Sequence, residues 1–227
     1  FDYGAVVPWV TRLHDGSGLR AIAGPDMVVL RTTAPIHGRD MSTVAHFAVS
    51  EGQQMTFALQ HGLGYDVPPP AIDVPAALEA TEAYWAAWTA LGSYDGPHAD
   101  VVHRSLITLK AMTYAPSGGI VAAPTTSLPE QIGGQRNWDY RFCWLRDSTL
   151  TLLALMNAGY YDEAKKWREW LLRAVAGSPS QVQIMYGIAG ERRLTEWEIT
   201  WLPGYEKSAP VRIGNDAHNQ LQLDVLG

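Results

Sequence analysis

The chain has 227 residues, enough for one large domain or two small ones and, either way, for a substantial buried core. Its 47% hydrophobic and 18% charged content describes a soluble globular protein rather than a disordered or fibrous one. The net charge of −6 comes with no cluster of Lys and Arg, which argues against a nucleic-acid partner, because a phosphate backbone needs cations gathered on one face. Cys143 is the single cysteine, which excludes an internal disulfide framework and a cysteine-rich zinc site and fits a reducing, cytoplasmic location. No apolar run reaches the roughly 18 residues that span a bilayer, so no membrane partner is expected.

The chain opens Phe1-Asp2-Tyr3-Gly4, without an initiator Met or a charged-then-apolar leader, and its natural start is expected upstream. Residues 1–66 read as β-structure. Val28-Val29-Leu30 is a short apolar run, and Thr43 to Val49 alternates with Ala45, Phe47 and Val49 on one face. After the polar Ser50-Glu51-Gly52-Gln53 turn, Met55, Phe57 and Leu59 alternate again, which predicts a hairpin with one buried face. Val67-Pro68-Pro69-Pro70 then breaks the pattern, since consecutive prolines lack backbone donors and hold the chain extended. Residues 67–96 read as a proline-rich and helical linker, with Tyr84, Trp85 and Trp88 on one side of an Ala-rich stretch from Ala76 to Ala90.

From residue 97 the period becomes helical. Val102, Leu106, Leu109 and Met112 mark a first helix over Val101 to Tyr114, and Ile107 and Ala111 widen its apolar stripe. A second is expected from Asp147 to Ala158, burying Leu150, Leu153 and Leu155 and ending at Gly159. A third starts from a capping Asp162 and runs through Ala164, Trp167, Leu171 and Ala174 until Gly177. Asn215 to Leu226 could begin a fourth. Long connections separate them, Ala115 to Arg146 and Ser178 to Gly214, and loops of such length in a compact domain are uncommon unless functional. The alternation suggests a helical barrel or bundle with a cleft at its loop end.

The chemistry is densest in Arg136-Asn137-Trp138-Asp139-Tyr140-Arg141-Phe142-Cys143-Trp144-Leu145-Arg146-Asp147. Asp147 at a helix N-terminus would be stabilised as a carboxylate by backbone N–H groups and would accept hydrogen bonds from sugar hydroxyls. Arg146 supplies donors only, so the pair can bind two neighbouring hydroxyls in opposite senses. Trp144 and Tyr140 could form the apolar wall. The competing reading is purely structural, with Asp147 an N-cap and Arg146 its ion-pair partner. Glu191, Glu196 and Glu198 have basic or polar neighbours and read as surface residues. Cys143 has no evident His partner and reads as a small buried residue. The scattered His37, His46, His61, His98 and His218, with the Asp100/His103 pair, give no convergent metal site. No Gly-rich phosphate loop or G-x-S-x-G elbow appears, and no cofactor is expected.

Ala122-Ala123-Pro124-Thr125-Thr126-Ser127-Leu128-Pro129-Glu130, Gly133-Gly134 and the segment from Arg136 to Asp147 resemble the bacterial branch of glycoside hydrolase family 15, which includes glucoamylases and trehalases. The likeness continues through Met185-Tyr186-Gly187-Ile188 and Pro210-Val211-Arg212-Ile213-Gly214-Asn215 to Gln220-Leu221-Gln222-Leu223-Asp224-Val225. It implies an α+β multidomain architecture: part of an N-terminal β-sandwich over 1–66, the linker, and the first part of an (α/α)6 catalytic barrel over 97–227. It implies hydrolysis of terminal α-glucosidic bonds in an α-glucoside oligosaccharide or trehalose, with inversion and paired carboxylates. Arg146 and Asp147 then hold the non-reducing glucose, Tyr140 and Trp144 line it, and Arg212 and Asn215 belong to the same site. The general acid and base glutamates are implied to lie beyond Gly227, so the remainder of the barrel or a second chain is the expected partner. A non-catalytic sugar-binding or assembly fragment of the same scaffold is the alternative.

Overall fold

The computed structural model describes residues 1–226, with side chains through Asp224. It is a mixed α/β chain that divides into two compact units, Phe1–Trp85 and Ala86–Gly227. Gly227, the end of the expected barrel segment, lies outside the described residues.

The first unit is built on one antiparallel sheet of β1 (Trp9–Arg12), β2 (Gly18–Ala23), β3 (Asp26–Thr32) and β6 (Phe57–Leu63), in that order. A separate hairpin pairs β4 (Ile36–Arg39) with β5 (Ser42–Ala45). The apolar run at Val28-Val29-Leu30 lies in β3, where Met27 and Val29 are fully buried. The expected hairpin between the 43–49 and 55–59 segments does not form. β5 pairs with β4, while β6 crosses to β3 in the register Leu30↔Leu59 and Val29↔Gln60. That register puts Ala58 and Gln60 on the same face as Met27 and Val29, and it leaves Phe57 and Leu59 on the other, with Leu59 72% exposed. Strand alternation was present, but the face it buries was set by the partner strand, which local periodicity does not name. Gln60 suits the covered face because it is satisfied there: Arg31 Nη1 donates to its Oε1 at 2.7 Å, and its Nε2 donates to the Pro70 carbonyl at 2.9 Å.

Helix α1 (Val74–Thr89) contains the division between the units. In the second unit, α2 (Ala99–Ala111), α3 (Leu145–Asn157) and α4 (Asp162–Ala174) follow the expected helices closely. The stripe on α2 is narrower than expected, since Ala111 is exposed and Leu106 alone is fully buried. In α3 the inward face carries Leu145, Ser148, Leu152 and Leu155, whereas Leu150 and Leu153 point to solvent. The helix starts two residues earlier than expected, so Asp147 is the third helical residue and extended Trp144 occupies the cap position. Asp162 is likewise the first residue of α4, after Tyr161. The segment from Asn215 forms a short 3-10 turn (Asp216–Asn219) and the four-residue α5 (Leu223–Leu226) rather than one helix.

A buried ion pair ties these helices together. Glu163 of α4 accepts from Lys110 Nζ of α2 at 2.8 Å and from Trp88 Nε1 at 2.9 Å, and the Trp88 ring stacks on Tyr160 at 4.1 Å. Among the described residues, no helix is long and apolar enough to cross a membrane.

Candidate active site

The 122–147 loop and the 184–220 segment meet through one short strand pair, and a second pair folds the 184–220 segment on itself. β7 (Cys143–Trp144) pairs with β8 (Met185–Tyr186), and β9 (Trp197–Ile199) pairs with β10 (Val211–Ile213). The first pair delivers Trp144 to the start of α3, over a core of Ile184, Met185 and Leu194. Next to it lies a second core of Cys143, Leu145, Trp170, Ala174 and Tyr186. Burial pushes the Cys143 thiol up to about 12, so it stays protonated and unreactive at neutral pH.

Irregular backbone in this region is held by buried polar side chains. The fully buried Asp139 carboxylate takes a two-point contact from Arg141, Nε to Oδ1 at 2.9 Å and Nη2 to Oδ2 at 2.8 Å, and accepts the Gly214 N–H at 3.1 Å. Asn215 Nδ2 donates to the Asp139 carbonyl at 2.9 Å, while its Oδ1 accepts from Ala217 N and caps the 3-10 turn. Asn137 Nδ2 donates to Gly134 and Pro210 carbonyls, and Gly133 N donates to Ser208 Oγ. Gly214 has to be glycine: its φ is +80°, and a Cβ would lie 1.8 Å from the Thr195 carbonyl oxygen.

The result is a cavity of about 360 Å³ walled by Trp138, Tyr140 and Trp144 and floored by Glu196, Asn215, Asp216, Ala217 and Gln220. Tyr140 meets Trp144 edge-on at 6.2 Å. Its phenol is raised above the ordinary tyrosine value, first by burial and then by the charges of Glu130 and Asp147, so it stays a neutral donor. Trp144 Nε1 is buried and has no hydrogen-bond partner among the described residues. Glu196 and Asp216 approach each other's backbone: Glu196 N donates to Asp216 Oδ1, and Asp216 N donates to Glu196 Oε2, both at 3.4 Å. Aromatic faces, neutral donors and acceptor carboxylates in one concavity suit a polyhydroxylated ring.

The six expected site residues do not all converge. Tyr140, Trp144 and Asn215 line the cavity, though Asn215 spends both its polar atoms on the loops rather than on the open space. Arg212 is turned away: its guanidinium stacks on Trp138 at 4.5 Å, Nη1 donates to the Gln135 carbonyl, and it pairs with Glu196 and Glu198. Both Arg212 and Asn215 thus act on the walls of the cavity. Arg146 borders a different cavity with Trp167 and Leu171, where it pairs with Asp224 at 3.4 Å. Asp147 is half-buried in the first turn of α3 and belongs to the lining of neither cavity. Sequence reasoning missed Trp138, Glu196, Asp216 and Gln220. Glu196 is partly buried, with a side chain 19% exposed, and its signal was position: it immediately precedes the strand whose partner carries Arg212. Among the described residues, no group of three or more His, Cys, Asp or Glu could hold a metal ion.

Comparison with known families decides the affiliation, because the profile of glycosyl hydrolases family 15 matches residues 96–227, the segment that builds this cavity. The chain belongs to that family. This family 15 chain is 42% identical to a trehalase of Mycobacterium tuberculosis, over 100% of the chain and 35% of that protein. It is 40% identical to a trehalase of Mycolicibacterium smegmatis, over 85% of the chain and 29% of the relative. It is also 43% identical to a trehalase of Thermoplasma volcanium, over 66% of the chain and 24% of the relative. The chain therefore spans 24–35% of the length of these curated relatives. No solved structure matches it.

Proposed function

We propose that the protein hydrolyses terminal α-glucosidic bonds, with trehalose its foremost substrate, and that this chain carries the part of the site that holds the glucose. The observation behind this reading is the buried, unpartnered Trp144 Nε1–H beside the Trp138 and Tyr140 rings, in the family-matched segment. A buried donor without an acceptor costs free energy that a sugar hydroxyl would recover. The curated relatives, all named trehalases, support trehalose over longer α-glucosides.

In this reading Tyr140 and Trp144 pack against the non-reducing glucose, and Asp147, on the first turn of α3, accepts a hydrogen bond from a sugar hydroxyl. Arg146 donates to a neighbouring hydroxyl after exchanging its exposed partner Asp224; that pair is half-exposed and 3.4 Å long, so little is lost in the exchange. Arg212 and Asn215 hold Trp138 and the cavity floor in place. Bond cleavage is by inversion: one carboxylic acid protonates the departing glycosidic oxygen, while a carboxylate takes a proton from the water that attacks the anomeric carbon from the opposite face. Both glutamates come from residues outside these 227, on the rest of an (α/α)6 barrel that residues 97–227 begin. Residues 67–96 are its linker, and residues 1–66 are part of a β-sandwich. The barrel remainder, whether the same chain or a second one, is the necessary partner.

Mixing the protein with trehalose, maltose and isomaltose and assaying released glucose tests this. Release is expected from trehalose first, and only when the remainder of the barrel is present. If no substrate is cleaved by the complete barrel while glucose still binds and Asp147→Ala abolishes that binding, the sugar-binding module is the correct reading.

A further inference from the structure

The aromatic wall of the loop cavity has two separate parts. Asp139 forms an antiparallel bridge with Thr126, so the backbone there is extended; Trp138 and Tyr140, two residues apart, share the cavity side while Asp139 between them is buried. Extended backbone sets such a pair about 7 Å apart, the scale of two pyranose rings joined through one oxygen. Tyr140 groups with Trp144, ring to ring at 6.2 Å. Trp138 makes no ring contact with either among the described residues, and its neighbour is instead Arg212, whose guanidinium covers the ring at 4.5 Å.

Arg212 is itself fixed. Its side chain is 12% exposed, its Nη1 donates to the Gln135 carbonyl at 2.8 Å, and it pairs with Glu196 at 3.2 Å and Glu198 at 3.3 Å. A cation locked against an aromatic ring holds that ring in one plane before any ligand arrives, so little side-chain freedom is lost on binding. The lining that Tyr140 and Trp144 leave unused also includes Gln220 and Asp216. The Gln220 amide has no partner among the described residues, and it offers two N–H donors and a carbonyl acceptor. Asp216 accepts one long bond, 3.4 Å from Glu196 N, so most of its acceptor capacity is open. A fixed aromatic face with an unspent donor and unspent acceptors repeats, at a second position, what the Tyr140–Trp144 end offers a first sugar.

We infer that Trp138, Gln220 and Asp216 form a second subsite, which takes the departing glucose of trehalose; this rests on the reading that Tyr140 and Trp144 hold the first glucose. Isothermal titration of the 227-residue protein with trehalose and with methyl α-glucoside tests it, because the methyl glycoside keeps the first ring and its anomeric configuration but lacks the second ring. Trehalose should bind at least about tenfold tighter. Trp138→Ala should abolish that gain and Gln220→Ala should cut it about threefold to tenfold, each with a smaller effect on the methyl glycoside. Circular dichroism of each variant confirms folding. If Trp138→Ala unfolds because Arg212 loses its ring, Gln220→Ala still decides, since that side chain has no partner in the fold to lose. Trehalose binding no tighter than the methyl glycoside, or equal losses for both ligands in Gln220→Ala, would overturn the second subsite and leave the glucose reading standing. No saturable binding of either ligand would overturn the glucose reading and the second subsite with it.

Discussion

The two units solve the problem of satisfying their backbone differently. The first relies on ladders: its sheet pairs strand to strand, and its buried residues among the first 85 are the apolar Met27, Val29, Ala34 and Ala58 with Gly18. The second has long irregular connections that cannot pair regularly, and it satisfies them with buried polar side chains: Ser127, Asn137, Asp139, Ser208 and Asn215. The candidate sugar cavity is made of those irregular segments. Polar scaffolding is therefore the cost of placing Trp138, Tyr140 and Trp144 around one concavity, and damage to it should reach the site while damage to the sheet should not.

The largest effect expected is from Asp139→Ala. It removes the fully buried carboxylate that receives both Arg141 and the Gly214 N–H, and should cost about 3–5 kcal/mol in urea unfolding and remove sugar binding with it. If the variant loses less than about 1 kcal/mol, the polar network is not what holds the loops.

Met27→Ala should cost about 2–4 kcal/mol through the cavity left under the sheet, whereas Leu59→Thr should stay within about 0.5 kcal/mol because its side chain is already in solvent. Comparable losses from both would mean that the far face of the sheet is covered in solution. Glu163→Gln should follow at about 2 kcal/mol, as Lys110 loses its charged acceptor. The same group predicts acid sensitivity. Burial alone would raise the Glu163 carboxyl, but hydrogen bonds from Lys110 and Trp88 outweigh it and hold the group below its ordinary 4.5. A depressed native value means its stabilisation is fully present above 4.5 and is lost as pH falls through the lowered value. Unfolding midpoints measured from pH 7 to 3 should fall less steeply in Glu163→Gln than in the parent.

How much of this was legible in the sequence follows the same division. Helices α2, α3 and α4 were readable because a 3.6-residue period is local, and their ends were off by a few residues because caps here use no side-chain hydrogen bond. The inward face of β6 was not readable, since Val29 sits opposite Gln60 only once β6 has crossed past the β4–β5 hairpin. Within the site, the aromatic wall was visible as the run from Arg136 to Asp147. The floor was not: Asp139 meets Gly214, and Thr126 meets the Arg212 carbonyl, across 75 and 86 residues. The grouping of Arg146 with Tyr140 and Trp144 was expected from likeness to a family, whereas in the fold Arg146 leaves on the Asp224 side of α3.

The central claim, that the loop cavity and the first turn of α3 hold a glucose ring, is tested most directly by titrating trehalose and glucose into the parent protein and into Tyr140→Ala and Asp147→Ala. Saturable binding that weakens at least about tenfold in each variant, with unfolding midpoints unchanged, is the predicted result. Undiminished affinity in both variants, or no saturable binding of either sugar by the parent, would contradict it.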